Sequence, residues 1–312
     1  MSFIMNIRSV AKYESKILVR SWFFRIFTLL AVVFLGFFNF AMMLMEDNFG
    51  LWFAKSVSSN IPYLNLLLLN TGQAVVAVFL SSEFLKRDKK LDTSEVFYVR
   101  PLSNAEYVVG KIWGNLRVFL FLNLLVLAIV LAFNFMASGV TVDLPAYLVY
   151  FFLISIPTLI FIIGLSIFLM LLLKNQALTF ILLLGYIGLT LFYIQDKFYY
   201  LFDYMVYNLP LFKSTIVGFS NLELILNHRA IYFFAGLGFI FFTIFLFKRL
   251  PNARRSHYPW LFLSFCMFLL MVTAGFRHVR SILWEGEMRA LYTSINNKYV
   301  YEPKMAIDYY DI

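Results

Sequence analysis

The chain has few charged residues and a single cysteine, and these scarcities exclude several classes of protein. Only 14% of its 312 residues are charged and 62% are hydrophobic, whereas soluble domains carry about 25% charged residues. Cys266 has no second cysteine to pair with, so a disulfide-stabilised scaffold is excluded. The mean hydropathy of +0.81 likewise excludes a soluble globular domain and a disordered chain.

The sequence also lacks the short motifs of nucleotide binding and of common hydrolases. No GxxxxGK[ST], HExxH or GxSxG pattern occurs. The three histidines, His228, His257 and His278, are far apart and are predicted to lie in different loops, which argues against a metal site or a Ser–His pair. We therefore predict that the chain is not an enzyme and holds no cofactor and no metal ion.

Long apolar runs are what the sequence has in quantity. Seven runs of roughly 20 residues are each long enough to cross a hydrocarbon core of ~30 Å as a helix. They are predicted to span the membrane at 24–45, 61–84, 111–135, 146–173, 177–194, 230–247 and 260–276. The predicted fold class is an all-α polytopic membrane protein, with a six-span bundle at 24–250, a linker and seventh span at 251–276, and a tail at 277–312.

The distribution of positive charge predicts the orientation of these spans. Sixteen of the 26 Lys and Arg residues fall in 1–25, 83–111, 174–176 and 248–259, and nine fall in the segments on the opposite side. The positive-inside rule then predicts a cytoplasmic N-terminus and, with seven spans, a C-terminus outside. Because the net charge of +9 flanks the spans, it predicts membrane topology and no nucleic-acid partner.

Residues 1–23 are predicted to form an amphipathic helix. Arg8, Lys12, Lys16 and Arg20 recur every four residues and cover an arc of about 120°. Apolar residues occupy the opposite side, except Glu14, which breaks the pattern. Such a helix before a span is typical of an interfacial segment whose cations lie among the headgroups. A plain topology anchor is the alternative interpretation.

The cytoplasmic segment 83–111 carries two helix-start signals. Asp92 with Glu95, and Ser103 with Glu106, have the spacing of a capping box. We predict a short helix after the first box, a break, and a second helix that starts near the second box and continues into the third span. The short helix is either a docking element presented to a cytoplasmic partner or part of an ordinary polar loop.

This segment resembles the first cytoplasmic loop of the type-2 ABC exporter permeases. The resemblance comprises an acidic and a basic residue, a short Leu-rich helix with Thr and Glu, then Pro-Leu-Ser and Gly-Lys before the next span. The residues that carry it are Glu83, Arg87, Leu91, Thr93, Glu95, Arg100, Pro101, Leu102, Ser103, Gly110 and Lys111. The N-terminal helix is similar to the elbow helix of that family, and the six-span order of residues 1–250 also fits. The seventh span and the tail depart from the pattern.

The resemblance implies a permease subunit of an ATP-driven exporter in a bacterial cytoplasmic (inner) membrane. Its implied partners are a cytoplasmic ABC ATP-binding subunit, which would hold ATP and Mg, a second permease half, identical or not, and the lipid bilayer. The implied ATPase-coupling residues are Glu83, Arg87, Thr93, Glu95, Arg100 and Pro101. One alternative is a membrane sensor or interaction subunit that uses the tail for recognition. An intramembrane enzyme is disfavoured because no span contains a paired acid or a nucleophile with a base.

A few polar residues lie within the predicted spans. Asn65, Asn70 and Gln73 share one face of the second span, within an arc of about 140°. Asn123 and Arg117 lie in the third. These five residues either line a substrate path or form interhelical hydrogen bonds, which contribute roughly 0.6–2 kcal/mol each. Arg117 is expected to extend to the cytoplasmic surface, because an arginine near a span end avoids the membrane centre in this way.

Two further features concern the opposite side of the membrane. The segment 195–229 is rich in aromatic residues, so we expect it to lie on or dip into the outer leaflet, either gating an exit for an amphipathic or lipid-like substrate or anchoring the fold. Pro157 is predicted to bend the fourth span. In the tail, 280–292 is predicted to be helical, and extended structure is predicted for Tyr299, Tyr301, Met305, Ile307 and Tyr309.

Overall fold

The computed structural model describes residues 2–44, 59–82, 102–136, 142–194, 197–207, 209, 211, 213, 218–219, 221–247 and 258–301. Seven helical segments within these ranges are long enough and apolar enough to cross a membrane. The protein is therefore an all-α, multi-pass membrane protein, which confirms the predicted fold class.

The helices follow one another along the chain. The first four are α1 (Ser2–Arg20), α2 (Trp22–Leu44), α3 (Asn60–Ser82) and α4 (Asn104–Met136). The fourth span consists of α5 (Leu144–Tyr150), a π-helical turn (Phe151–Ser155) and α6 (Ile156–Leu173). The fifth is α7 (Gln176–Leu189) with a second π-helical turn (Thr190–Ile194), and the last two are α8 (Leu222–Leu246) and α9 (Tyr258–Tyr301).

The start of α4 confirms one of the two predicted capping boxes. The Ser103 amide donates to Glu106 Oε2 at 2.6 Å, and the Glu106 amide donates to Ser103 Oγ at 3.2 Å. This reciprocal pair satisfies two amides at a helix N-terminus. The helix then continues without interruption into the third span, as the sequence predicts.

Two predicted boundaries are wrong. The sixth span begins at Leu222, well before the apolar run at 230–247, because its first two turns carry polar residues that pack inside the protein. The tail is helical from the seventh span through Tyr301, so the predicted helix at 280–292 is confirmed and extended structure is not found at Tyr299 and Tyr301. Met305, Ile307 and Tyr309 lie outside the described residues. At 44 residues, α9 is about 66 Å long, longer than a bilayer requires.

The bundle has a buried centre and exposed flanks. In the most apolar 18-residue stretch of α3, 67% of the residues are buried. The corresponding fractions are 22% in α2, 22% in the fifth span and 11% in α9. Helices α6 and α8 meet at two glycines, where a Cβ atom on Gly164 would lie 2.7 Å from the carbonyl oxygen of Gly236. Small residues at this crossing allow backbone-to-backbone contact, the usual means by which helices associate in lipid.

Candidate functional site

The predicted coupling residues Glu83, Arg87, Thr93, Glu95, Arg100 and Pro101 lie outside the described residues. The docking helix therefore stays a prediction. What the structure does describe is the helix that immediately follows this segment, α4, together with α1, which packs along it.

Helices α1 and α4 run side by side in the same direction. Asn6 Nδ2 donates to Glu106 Oε1 at 2.9 Å, and further along both helices Ser15 Oγ donates to the carbonyl of Gly114 at 2.7 Å. A Cβ atom on Gly110 would lie 2.7 Å from an α1 side chain, so the glycines of α4 permit this close contact. We call this contact the α1–α4 junction.

Buried charge holds the junction together. The Glu14 carboxylate lies 3.6 Å from Lys111 Nζ, and their side chains are 4% and 3% exposed. Arg117 donates from Nε to Ser15 Oγ at 2.5 Å and from Nη2 to the Ala11 carbonyl at 3.0 Å. Glu14 breaks the sequence pattern because it faces α4. Arg117 bonds to α1, and its extension to the cytoplasmic surface stays a prediction.

Helix α1 is amphipathic, as predicted, and the face opposite its basic residues packs against the rest of the protein. Arg8, Lys12, Lys16 and Arg20 are all exposed. The buried face, which includes Ala11 and Leu18, is directed into the protein. Because α1 follows α4 over about three turns, the two helices form one packed unit rather than a single crossing point.

Three of the predicted path residues meet in the centre of the bundle, joined by a serine of the π-helical turn. Gln73 Nε2 donates to Asn70 Oδ1 at 2.6 Å, and Asn123 Nδ2 donates to Gln73 Oε1 at 2.9 Å. Ser155 Oγ donates to Asn123 Oδ1 at 2.8 Å and accepts from Asn70 Nδ2 at 3.3 Å. These four side chains form a closed ring, here called the amide cluster, with 0% exposure at each residue.

The other two predicted path residues lie elsewhere. Asn65 pairs with Asn39 of α2 through reciprocal amide hydrogen bonds of 2.7 and 3.0 Å, and Arg117 belongs to the α1–α4 junction. Because the hydrogen bonds of the amide cluster close on themselves, interhelical bonding explains the cluster without a ligand. A role in a substrate path stays a prediction.

Part of the aromatic segment packs inside the protein, whereas Phe198, Tyr199 and Phe202 are exposed, and its contact with the outer leaflet stays a prediction. Tyr207 Oη is 2.5 Å from Thr71 Oγ1, midway along α3, and the Tyr204 carbonyl accepts from Thr158 Oγ1 at 3.2 Å, midway along the fourth span. Tyr204 and Val206 are 1% and 0% exposed. We call the described residues within 197–213 the re-entrant segment.

Side chains of the surrounding spans satisfy the backbone of the re-entrant segment. Irregular backbone at membrane depth requires such internal partners. Seven backbone carbonyls of the segment accept such hydrogen bonds. From α8 and α9, His278 bonds Tyr199, His228 bonds Tyr200, Tyr232 bonds Leu201 and Arg229 bonds Tyr204. From the other side, Tyr63 bonds Val206, Tyr150 bonds Leu211 and Ser59 bonds Lys213. The spans therefore hold the segment at the end of the bundle opposite the α1–α4 junction.

Arg229 is the central donor of this arrangement and is only 2% exposed. Its guanidinium bonds the carbonyls of Leu153 at 2.6 Å, Ile154 at 3.3 Å and Tyr204 at 3.0 Å. Pro157 has no amide to donate to the Leu153 carbonyl, and a π-helical turn directly precedes α6, in which Pro157 lies. The predicted bend of the fourth span stays a prediction. Arg229 is the last residue of the segment 195–229, predicted to lie outside the spans, but it belongs to α8.

His228 and His278 are adjacent, which corrects their description as isolated loop residues. Their ring centroids are 4.9 Å apart, on α8 and α9. Each Nε2 bonds a carbonyl, of Tyr200 at 3.0 Å and of Tyr199 at 2.9 Å, and each must donate because a carbonyl only accepts. No group of three or more metal-ligating side chains is found among the residues that the structure describes.

Sequence reasoning missed Asn39, Ser155 and the Arg229 group. Arg229 and His228 directly precede the predicted sixth span, and a boundary drawn one or two turns earlier would have placed both inside the membrane as candidates. Ser155 carries no signal, because a lone serine in a span is common. Comparison of the chain with protein-family models and with curated proteins finds no match.

Proposed function

We propose that this chain is the membrane-spanning half of an ATP-driven exporter of the type-2 ABC kind. Two such halves would form the path, and cytoplasmic ATP-binding subunits carrying ATP and Mg would drive it. Closure of those subunits on ATP would push the short helix predicted after Asp92, and the spans would reorient. The substrate class we favour is amphipathic or lipid-like.

The α1–α4 junction is the observation that best supports this proposal. The predicted docking segment leads directly into α4 at Ser103, and α4 is joined to α1 by the buried Glu14–Lys111 pair. A force applied at the loop would therefore move α1 and the whole third span as one body. In an ordinary polar loop, by contrast, no such continuous mechanical connection is needed.

The exposed flanks support a second half as partner. Helices α2 and α7 both contact α3, through Phe23 and Phe180 on either side of Phe79. Both are mostly exposed, and α2 presents large apolar side chains such as Phe34 and Phe37. One flank of the bundle is thus available for a second copy or for lipid.

The re-entrant segment supplies a closure at the far end of the proposed path. It reaches mid-depth between α3, the fourth span and α8, and its backbone carbonyls accept hydrogen bonds from Tyr63, Thr158 and Arg229 of these three elements. Movement of α4 against α3 would disturb the amide cluster, which also includes Ser155 of the fourth span. In this account, release of the segment opens the outward side.

The sensor alternative has one observation in its favour. Helix α9 continues far beyond the length a bilayer needs, and the side chains of Trp284, Met288 and Leu291 are exposed there. A projecting helix of this kind can carry a recognition surface.

Purification of the native complex from its own membranes tests the proposal against this alternative. If the chain is a permease, it co-purifies in fixed stoichiometry with a polypeptide that carries a GxxxxGK[ST] motif and hydrolyses ATP. Micromolar ATP binding by the isolated chain, or a stable complex with a histidine kinase in place of an ATPase, would contradict it.

A further inference from the structure

A groove lined by charges of both signs lies where α8 begins beside α9. It has a volume of about 920 Å³, and its walls include Arg277, Arg280 and Trp284 from α9 and Glu223 from the first turn of α8. Glu287, one turn beyond Trp284, completes the charged lining. The volume falls in the range of about 300–1,000 Å³ that small-molecule sites occupy.

The four charged side chains of the groove are not paired with one another. Among the residues that the structure describes, Arg277, Arg280, Glu223 and Glu287 form no ion pair and no side-chain hydrogen bond. Opposite charges that share a groove without contact leave room for a ligand that carries both signs. Arginine pairs with phosphate through two parallel hydrogen bonds, and a carboxylate accepts from an ammonium group.

The surroundings of the groove fit a membrane lipid. Beside it, Phe276 of α9 is 70% exposed and Leu222 of α8 is 45% exposed, so acyl chains can pack against the outer surface of both helices. Trp284 is also exposed, and tryptophan favours the level of the headgroups. The polar groove lies directly beyond the apolar part of α9, at the end of the bundle that the re-entrant segment occupies.

We propose that this groove binds the headgroup of a zwitterionic phospholipid with a primary ammonium, as in phosphatidylethanolamine. Arg277 and Arg280 take the phosphate, and Glu223 and Glu287 take the ammonium. Phosphatidylcholine has no N–H to donate to the carboxylates, and phosphatidylglycerol has no positive charge to offset them. The site therefore selects the ethanolamine headgroup over both. This proposal is independent of the transport function.

Native mass spectrometry of the purified full-length chain tests the selection directly. The chain is incubated in detergent with equal amounts of phosphatidylethanolamine, phosphatidylcholine and phosphatidylglycerol that carry the same acyl chains. We expect phosphatidylethanolamine to be retained at least about fivefold more than either competitor, the factor that roughly 1 kcal/mol of charge pairing gives.

Two double variants separate the parts of the site. Glu223→Gln with Glu287→Gln should abolish the preference for phosphatidylethanolamine over phosphatidylcholine and leave retention of both lipids. Arg277→Gln with Arg280→Gln should reduce retention of all three. Arg289→Gln, which removes an exposed cation of the same helix outside the groove, is the control. Equal retention of phosphatidylethanolamine and phosphatidylcholine by the unaltered chain overturns the proposal. So does a Glu223→Gln, Glu287→Gln variant that keeps the preference for phosphatidylethanolamine. The proposal also fails if Arg289→Gln reduces lipid retention as much as Arg277→Gln with Arg280→Gln.

Discussion

Arg229 Nε lies 2.6 Å from the carbonyl oxygen of Leu153, the acceptor that Pro157 leaves without its usual amide donor. The same guanidinium holds the Tyr204 carbonyl of the re-entrant segment. One side chain thus repairs the helix defect and fixes the irregular segment beside it. This coupling explains why an arginine is tolerated in a buried position with 2% exposure.

Replacing Arg229 should destabilise the protein strongly. Arg229→Met leaves buried carbonyls without donors, and we expect a loss of about 3 kcal/mol, measured as a lower thermal midpoint in detergent. In a Pro157→Ala background the loss should be smaller, because the alanine amide can bond the Leu153 carbonyl. Lys197→Met, which removes an exposed cation above the Tyr193 ring, should cost under about 1 kcal/mol. If the stability losses caused by Arg229→Met and Pro157→Ala simply add in the double variant, the proposed coupling between Arg229 and the Leu153 carbonyl is contradicted.

The amide cluster should prove to be structural. Asn123→Leu removes hydrogen bonds to Gln73 and Ser155, each worth roughly 0.6–2 kcal/mol in a membrane. We expect a lower thermal midpoint, with ATP hydrolysis per folded complex unchanged. Asn134→Leu, which removes a bond to Tyr147 outside the cluster, should have a smaller effect. Unchanged stability together with lost turnover would indicate that Asn123 belongs to a substrate path.

The α1–α4 junction should depend on a small residue at position 114. A Cβ atom there would lie 2.7 Å from Glu14 Cβ and 2.9 Å from the Ala11 carbonyl, so Gly114→Leu must displace α1. Hydrogen exchange of the α1 amides should then increase at least about tenfold, as expected when local packing is lost. Gly185→Leu is the matched control, because nothing lies within 4 Å of that position. Equal exchange in both variants would rule out the proposed packing.

The positive-inside asymmetry predicts where two engineered cysteines react. In a chain with Cys266→Ser, Ser94→Cys should label only from the cytoplasmic side and Asn297→Cys only from the opposite side. Membrane-impermeant maleimide applied to sealed vesicles of each orientation measures this. Labelling of both positions from one side would contradict a seven-span topology with opposite termini.

Much of the fold follows from local patterns in the sequence. The seven spans follow from apolar length, and the start of α4 follows from the Ser103–Glu106 spacing, because each signal involves residues close in sequence. The start of α8 was not predictable, since Arg229 and His228 look like loop residues until their partners on the fourth span, the re-entrant segment and α9 are known.

The candidate site was predictable only in part, for the same physical reason. Asn70, Gln73 and Asn123 stand out because amides are rare in spans, yet Ser155 joins them only through the tertiary arrangement. Glu14 looked like an exception on an apolar face, and its partner Lys111 lies across an interhelical contact that no local pattern encodes. Long-range pairing of buried polar groups is therefore the information that a single sequence does not supply.

The most direct test of the account is the association of this chain with its ATP-binding subunit after charge reversal in the cytoplasmic loop. Glu95→Lys with Arg100→Glu should weaken association at least tenfold, because a desolvated charged contact contributes roughly 2–5 kcal/mol, while insertion stays normal. Glu46→Lys with Lys55→Glu, on the opposite predicted side, should leave association unchanged. Full association of the loop variant, inserted as well as the unaltered chain, would contradict the proposed coupling and favour the sensor alternative.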